Sequence, residues 1–393
     1  MSKPNLLFIT PAMPCPTGNG LSMRAYNFIT KLSRQYHVHI LAGGSGYTKA
    51  TVSNNIWKAH EYIPLTNDWQ IFSRKVLYKI SPRAFHIAYN SPHDLIPLTR
   101  SIKNFLDNVF PGIDFAIIHT FRLYMLPLAQ YMLSKRGHMQ LQIDIDDIES
   151  ITRKRISDLY RFNGYTRMFK IFKREAMMFA KYEKRWLSKI QRLFVCSNID
   201  KEKIINEYGY HDVEVVTNAV SVPDNISPKP TNLPFTFLFV GTLGYYPNYD
   251  GVLYFCREIL PIIRSKASQN FVVKIVGCNA PKTLAKELSK YPETTLVNDV
   301  PDIALHYINA DASIAPIRAG GGTRIKILEA FAHQRPVIAT TIGSEGINAK
   351  HRKHILLADD KESFAKQCIE IMTDNNLRHL LTKNALSLIT TQT

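Results

Sequence analysis

Short runs of aliphatic and aromatic residues alternate along this chain with longer stretches whose apolar positions repeat at helical spacing. The first set of runs comprises LLFIT (6–10), HVHILA (37–42), FAIIH (115–119), LQID (141–144), LFVCS (193–197) and VEVV (213–216). A second set follows: FTFLFVG (235–241), FVVKIVG (271–277), TTLV (294–297), ASIAP (312–316), PVIATT (336–341) and HILL (354–357). Near-continuous apolar runs of this length read as strands covered on both faces, and helical segments between them imply crossover connections. The pattern therefore predicts an α/β protein built from parallel, doubly wound, Rossmann-like sheets.

The segment VPDNISPKPTNLP (222–234) interrupts this alternation with four prolines among Asn, Asp and Ser, which forbid a regular element. It divides the chain into a domain over 1–222, a linker over 223–234 and a domain over 235–393 whose last helix is expected to pack back on the first. A length of 393 residues suits two such cores. Ligands of doubly wound sheets bind outside the carboxyl ends of the strands, so the two domains are expected to face each other across a cleft.

Composition narrows the class. The hydrophobic fraction of 45% is that of a globular protein, and no apolar run approaches the roughly 20 residues that span a bilayer. The opening MSKPNLLFIT reads as a buried strand rather than a cleavable leader, and the five scattered cysteines lack disulfide or zinc spacing. A cytoplasmic location is expected. The net charge of +17 favours anionic partners. The segment from Arg153 to Arg192 holds thirteen Lys and Arg against three acids, more than half of that excess. Its apolar residues Phe169, Phe172, Ala176, Phe179, Trp186 and Ile190 fall at helical spacing, which suits the surface of an anionic membrane, through residues 165–190, or a helix packed on its own core with a solvated basic face.

The densest chemistry lies in ASIAPIRAGGGTRIKILEAFAHQRPVIATT (312–341). A strand ends at Pro316, then Gly320, Gly321 and Gly322 precede a helix for which Thr323 is the expected N-cap, near Arg324. Glycines before a helix start let backbone amides approach an anion, and Arg318, Arg324 and Lys326 add three cations. Glu329 sits in an apolar stretch where an unpaired carboxylate is costly. Ribose hydroxyls would satisfy it, or Arg324 or Arg335 would pair with it on a solvated face.

These residues carry a resemblance. GGGTRIKILEAFAHQRPVIATTIGSEGI is similar to the donor-binding segment of the GT-B glycosyltransferases, the large family of retaining enzymes that use UDP- or GDP-sugars (glycosyl transferases group 1, GGGTRIK branch). FITPAMPCPTGNGLSMRAYNFITKLSRQYHVHIL resembles that family's first strand, glycine loop and helix, and FVGTLGYYPNYDGVLYFCREILPIIR the start of its second domain. The resemblance implies a GT-B fold and transfer of a sugar from a nucleotide diphosphate to a glycan, lipid-linked or other acceptor, with retention and without a metal cofactor. The first domain would bind acceptor and the second the nucleotide sugar. It further implies ribose binding by Glu329, diphosphate binding by amides around Gly321, Gly322 and Thr323 and near Gly241, and closure of Gly18, Asn19 and Gly20 over the phosphates. Arg24, in the helix that follows, is a weaker phosphate candidate.

Two departures stand out. Gly321 occupies the place of a first glutamate that contacts the transferred sugar in many members, and GTLGYYPNYDG lacks the lysine common after the FVG strand. Arg318, Arg324 and Lys326 are expected to supply that charge. His119, read as the last residue of its strand, would face the cleft and orient an acceptor hydroxyl, or serve structure alone. Asp144, Asp146 and Asp147 spell a D-x-D, but a metal site is rejected because helix starts and cations stabilise the leaving diphosphate in this fold. Asp147 would face the acceptor or cap the next helix. Two rivals are a nucleotide-sugar epimerase of similar fold and a basic nucleic-acid-binding protein. No aromatic-basic RNA motif or helix-turn-helix supports the second, and no nucleic-acid partner is expected.

Overall fold

The computed structural model describes residues 3–43, 56–65, 68–224, 234–300, 302–322 and 324–391. The chain forms two compact units, residues 1–218 and 219–393. Most of the segment read as a linker, residues 225–233, lies outside the described residues.

In the first unit the strands are β1 (Asn5–Thr10), β2 (His37–Ala42), β3 (Ala59–Tyr62), β4 (Phe115–Phe121), β5 (Gln140–Asp146), β6 (Arg192–Val195) and β7 (Val213–Val215). They form one parallel sheet in the order β3-β2-β1-β4-β5-β6-β7. The helices are α1 (Gly20–Leu32), α2 (Trp69–Ile80), α3 (Pro82–Tyr89), α4 (Arg100–Asn108), α5 (Leu126–Arg136), α6 (Glu149–Phe162), α7 (Thr166–Trp186) and α8 (Asn198–Tyr208). Because helices cover both faces, Leu6, Leu7, Phe8 and Ile9 of β1 are all buried, which is why its sequence does not alternate.

The second unit repeats the design. Its strands β8 (Phe235–Thr242), β9 (Phe271–Cys278), β10 (Thr294–Asn298), β11 (Ala312–Ala315), β12 (Val337–Ala339) and β13 (Leu356–Leu357) pair in parallel in the order β10-β9-β8-β11-β12-β13. Its helices are α9 (Tyr246–Tyr254), α10 (Leu260–Lys266), α11 (Lys282–Leu288), α12 (Ala304–Ile308), α13 (Ile325–Ala332), α14 (Lys361–Thr373) and α15 (Asn375–Thr390). A π-helical turn, Phe255–Ile259, joins α9 to α10. The last helix, expected to pack back on the first domain, contributes Leu377, Leu381, Ala385 and Ile389 to the core of its own unit.

In each sheet the first strand lies in the interior, and the chain reverses direction of growth between the first and fourth strands. That switch point opens a crevice at the carboxyl ends of β1 and β4 in one unit and of β8 and β11 in the other. Both crevices therefore collect the residues that follow these strands.

Candidate functional site

The switch point of the second unit is built from the end of β8, the start of α9, the loop after β11 and the first turn of α13. Lys326 projects from α13 to the end of β8, where its ammonium donates to Asn248 Oδ1 at 2.7 Å and lies 4.2 Å from the Phe239 ring centroid. Asn248 donates in turn to the Thr242 carbonyl at 2.9 Å. Gly241 makes this approach possible, since a Cβ there would come within 2.9 Å of both Asn248 Nδ2 and Lys326 Nζ. Burial, with Arg324 nearby, pushes the lysine pKa down to about 7.

Glu329, one turn further along α13, is buried and takes a hydrogen bond from the Tyr307 hydroxyl at 3.3 Å. Neither Arg324 nor Arg335 pairs with it among the described ion pairs. Burial pushes its pKa up to about 7, against the opposing effects of Tyr307 and Lys326. A carboxylate in this state gains from further donors, which hydroxyls of a sugar ring would provide.

Arg324 occupies the N-cap position of α13 and folds back over the glycine loop, donating Nη1 to the Gly321 carbonyl. Gly320, at φ +125°, lies so close beneath it that a Cβ would meet Nη2 at 2.8 Å. Nε and Nη2 of Arg324 are buried and have no hydrogen-bond partner among the described residues. A guanidinium with two such nitrogens beside a helix start is a place where an anion is favoured. Gly322 also adopts a positive φ, 66°, whereas Thr323, the expected cap, lies outside the described residues.

Arg318 differs from the other two cations. Its guanidinium makes a bidentate pair with Asp250 of α9, at 2.9 and 2.7 Å, and stacks 4.5 Å from the Tyr254 centroid. Of the three expected cations it is the one with a carboxylate partner: Asp250 balances its charge, and the pair braces α9 against the loop after β11. Asn248, Asp250 and Tyr307 were missed in the sequence. The signal was present, since Asp250 lies in the largely apolar YPNYDGVLY and an acid buried there needs a cation.

The switch point of the first unit is arranged differently. Gly18 has φ +107° and Asn19 caps α1, accepting from the Ser22 amide at 3.0 Å, so Gly18, Asn19 and Gly20 form a turn and helix start beyond β1. Arg24 is fully buried and bound: it pairs with both oxygens of Asp144 at 2.7 and 2.8 Å and donates to the Val216 carbonyl and Asn218 at 2.9 Å. Burial opposes its charge, but Asp144 and Asp146 outweigh that and raise its pKa. It is not available to phosphate. Arg122, just after β4, holds Asp146 at 2.9 Å, Glu149 at 2.9 Å and Asp147 at 3.3 Å. Asp147 does not cap α6, whose N-cap is Ile148.

His119 also requires correction. The strand continues through Thr120 to Phe121, and the imidazole is wholly buried, stacked on Phe8 at 5.0 Å and tilted against Phe28 and Phe194 at 5.1 and 5.5 Å. Burial pushes its pKa down to about 3, so it is a neutral member of an aromatic cluster beneath the strand end. Within α7, Phe179 is buried against the core and Phe172 packs on Tyr160 of α6 at 5.2 Å, so neither is an insertable side chain.

Known proteins resemble this chain in sequence over part of its length and in fold over nearly all of it. Residues 234–374 match the family model described as Glycosyl transferases group 1. An uncharacterized protein in the cps region of Klebsiella pneumoniae is 28% identical over 160 residues, a match that spans 39% of this chain and 41% of that relative. Among solved structures, sucrose-phosphate synthase from Thermosynechococcus elongatus superposes with a TM-score of 0.67 at 15% identity, covering 99% of this chain and 95% of that one. A glycosyltransferase from Rickettsia africae gives 0.64 at 15% identity, over 100% and 94% of the two chains. Anabaena Alr3699/HepE, solved in complex with UDP and glucose, gives 0.64 at 11% identity over 99% and 95%.

Proposed function

The chain has the GT-B glycosyltransferase fold and carries a group 1 glycosyl transferase domain over residues 234–374, and from that premise we propose that it transfers a sugar from a nucleoside diphosphate to an acceptor hydroxyl. The observation that carries the reading is the meeting of Arg324, Lys326 and Glu329 at the switch point of the second unit. Arg324, with two buried nitrogens unpartnered, and Lys326, seated by Gly241, are suited to the diphosphate. Glu329 is suited to the ribose hydroxyls. Lys326 comes from α13 yet reaches the end of β8, and so supplies the charge that GTLGYYPNYDG lacks.

In this reading the bond between the sugar's anomeric carbon and the diphosphate oxygen breaks, and the charge that builds on that oxygen is met by Arg324, Lys326 and the amides at the start of α13. Cations already in place make a divalent metal unnecessary for that step. The acceptor hydroxyl, on a glycan or a lipid-linked sugar, attacks the same carbon with retention of configuration and gives up its proton to the departing diphosphate oxygen, and its recognition is assigned to the first unit. UDP in the Anabaena complex makes a uridine diphosphate sugar the donor to try first, with guanosine diphosphate sugars next.

Isothermal titration of UDP and GDP into wild type, Arg324→Ala and Glu329→Ala tests the donor site. Weaker binding in both variants is expected, and unchanged affinity in both would sink the assignment. Transfer to an added acceptor should persist in EDTA. Sugar conversion without any acceptor would replace transfer with epimerisation, and restoration of EDTA-lost activity by manganese would overturn the metal-free step.

A further inference from the structure

Helix α2 is apolar on both sides. Ile71 is buried and Tyr78 stacks on His93 at 3.7 Å, which accounts for the inward face. Opposite them, Trp69, Phe72 and Ile80 share a single outward stripe at helical spacing and are 73%, 54% and 73% exposed. Trp69 and Phe72 pack on each other, 5.3 Å between centroids, rather than on the core. The stripe continues onto α3, where Phe85 and His86 turn inward while Ile87 stands out at 69% exposure. The Arg167 guanidinium reaches the Lys79 carbonyl at 3.5 Å, which sets the α6–α7 turn, with exposed Phe162, beside the end of α2.

Basic residues dominate around these groups, with Asp68 at the N-cap of α2 the adjoining acid. Residues 69–90 contain four Lys or Arg and no acid, and residues 161–174 contain five and no acid. Lys75, Lys79 and Arg83 are exposed alongside the stripe. The helix is held firmly in place, because Asp68 accepts from the Gln70 and Ile71 amides and from the Thr99 and Ser101 hydroxyls.

We propose that the outward face of α2 and α3, with the adjoining α6–α7 turn, seats the first unit on an anionic lipid bilayer. Aliphatic and aromatic groups ringed by cations match a surface whose interior is apolar and whose headgroups are negative. A second copy of this face would set its Lys75, Lys79 and Arg83 against the same exposed cations, which like-charge repulsion disfavours. Nucleic acid would use the cations but leaves Ile80 and Ile87 unsatisfied. Among the described residues no helix is long and apolar enough to cross a membrane, so the protein lies on the bilayer through this face. The contact is thereby moved from the length of α7, whose apolar side is largely packed, to α2 and α3.

The test is sedimentation with vesicles of phosphatidylcholine alone and of phosphatidylcholine with phosphatidylglycerol, at low and high salt, using the full chain. Binding to the anionic vesicles that weakens with salt is expected. Both Trp69→Gln/Phe72→Gln/Ile80→Gln and Lys75→Glu/Lys79→Glu/Arg83→Glu should reduce it on the order of tenfold or more. Lys282→Glu/Lys286→Glu in the second unit should leave it unchanged. UDP titration into the same variants keeps failure here distinguishable from failure of the donor reading, and an unchanged circular dichroism melt confirms that they fold. Equal pelleting with neutral and anionic vesicles, or full binding by both α2 variants, would overturn the proposal. So would loss of self-association in the apolar variant with no vesicle binding by wild type.

Discussion

The two units present the same crevice of the same fold and fill it in opposite ways. Beyond β1 and β4, Arg24 and Arg122 are locked onto Asp144, Asp146 and Glu149, so the charges cancel within the protein. Beyond β8 and β11, Arg318 is paired with Asp250, but among the described residues Arg324 keeps two unpartnered nitrogens, and Lys326 bonds a neutral amide and lies over a ring, with Glu329 acting on it only through space. Topology creates the crevice in both units, and the balance of acids decides whether it holds itself together or holds an anion. The lesson is that a cation near a helix start gains meaning only when its counter-ion has been sought. By composition alone, Arg24 and Arg324 look alike.

The largest expected effect breaks the self-neutralised side. Asp144→Ala leaves Arg24 buried without its bidentate partner and should destabilise the chain by about 3–5 kcal/mol, read from urea denaturation. If the loss were no larger than for an exposed pair such as Arg192 with Glu214, the contrast between the crevices would collapse. Next comes Arg324→Ala, which removes a charge-assisted bond to phosphate. It should weaken UDP by roughly 1.5–3 kcal/mol while leaving denaturation nearly unchanged, so that calorimetry and unfolding separate the two kinds of arginine.

A third measurement sharpens the comparison through pH. Lys326, lowered to about 7 from 10.5, must be protonated to meet a diphosphate, and Glu329, raised to about 7 from 4.5, must be ionised to accept ribose hydroxyls. UDP affinity should therefore peak near pH 7 and fall on either side, approaching about one decade per unit. Glu329→Gln should remove the acid limb and Lys326→Arg the alkaline one. For stability the signs reverse. The raised Glu329 binds its proton more tightly when folded, so stability falls between about 4.5 and 7 as pH rises; the lowered Lys326 binds its proton less tightly when folded, so stability recovers between about 7 and 10.5. Melting of the nucleotide-free chain against pH should show that minimum.

The smallest effect concerns His119. Replacing a neutral ring by another in the Phe8, Phe28 and Phe194 cluster should cost less than about 1.5 kcal/mol, and His119→Phe should leave the pH profile of transfer unmoved. A lost profile limb would return that residue to the chemistry.

Most of the fold was legible because both sheets are parallel and covered on both faces, which writes strands as apolar runs. The exception is β3, whose AHEY is polar and half exposed at the sheet edge and so carries no such signal. In the site, Glu329 was legible as an acid in an apolar stretch, and so was the glycine loop before α13. Pairings across long separations were not: Arg24 finds Asp144 and Arg318 finds Asp250 only once the crossovers are folded. His119 was misplaced by two residues of strand, since FAIIHTF continues through Thr120 and Phe121 with no turn residue to mark an end. On α7, periodicity located the apolar stripe correctly but could not tell which partner covered it.

The ends of β8 and β9 meet at Gly241 and Gly277, paired in register, and a Cβ on Gly277 would fall 1.8 Å from the Gly241 carbonyl oxygen. For anyone who would re-engineer donor choice, this closes one route and directs the search to another. A saturating library at 277 should return glycine alone, because even alanine would wedge the strands apart and carry Gly241 away from Lys326. Diversity is better placed on exposed side chains beyond the strand end, such as Tyr245 at the N-cap position of α9.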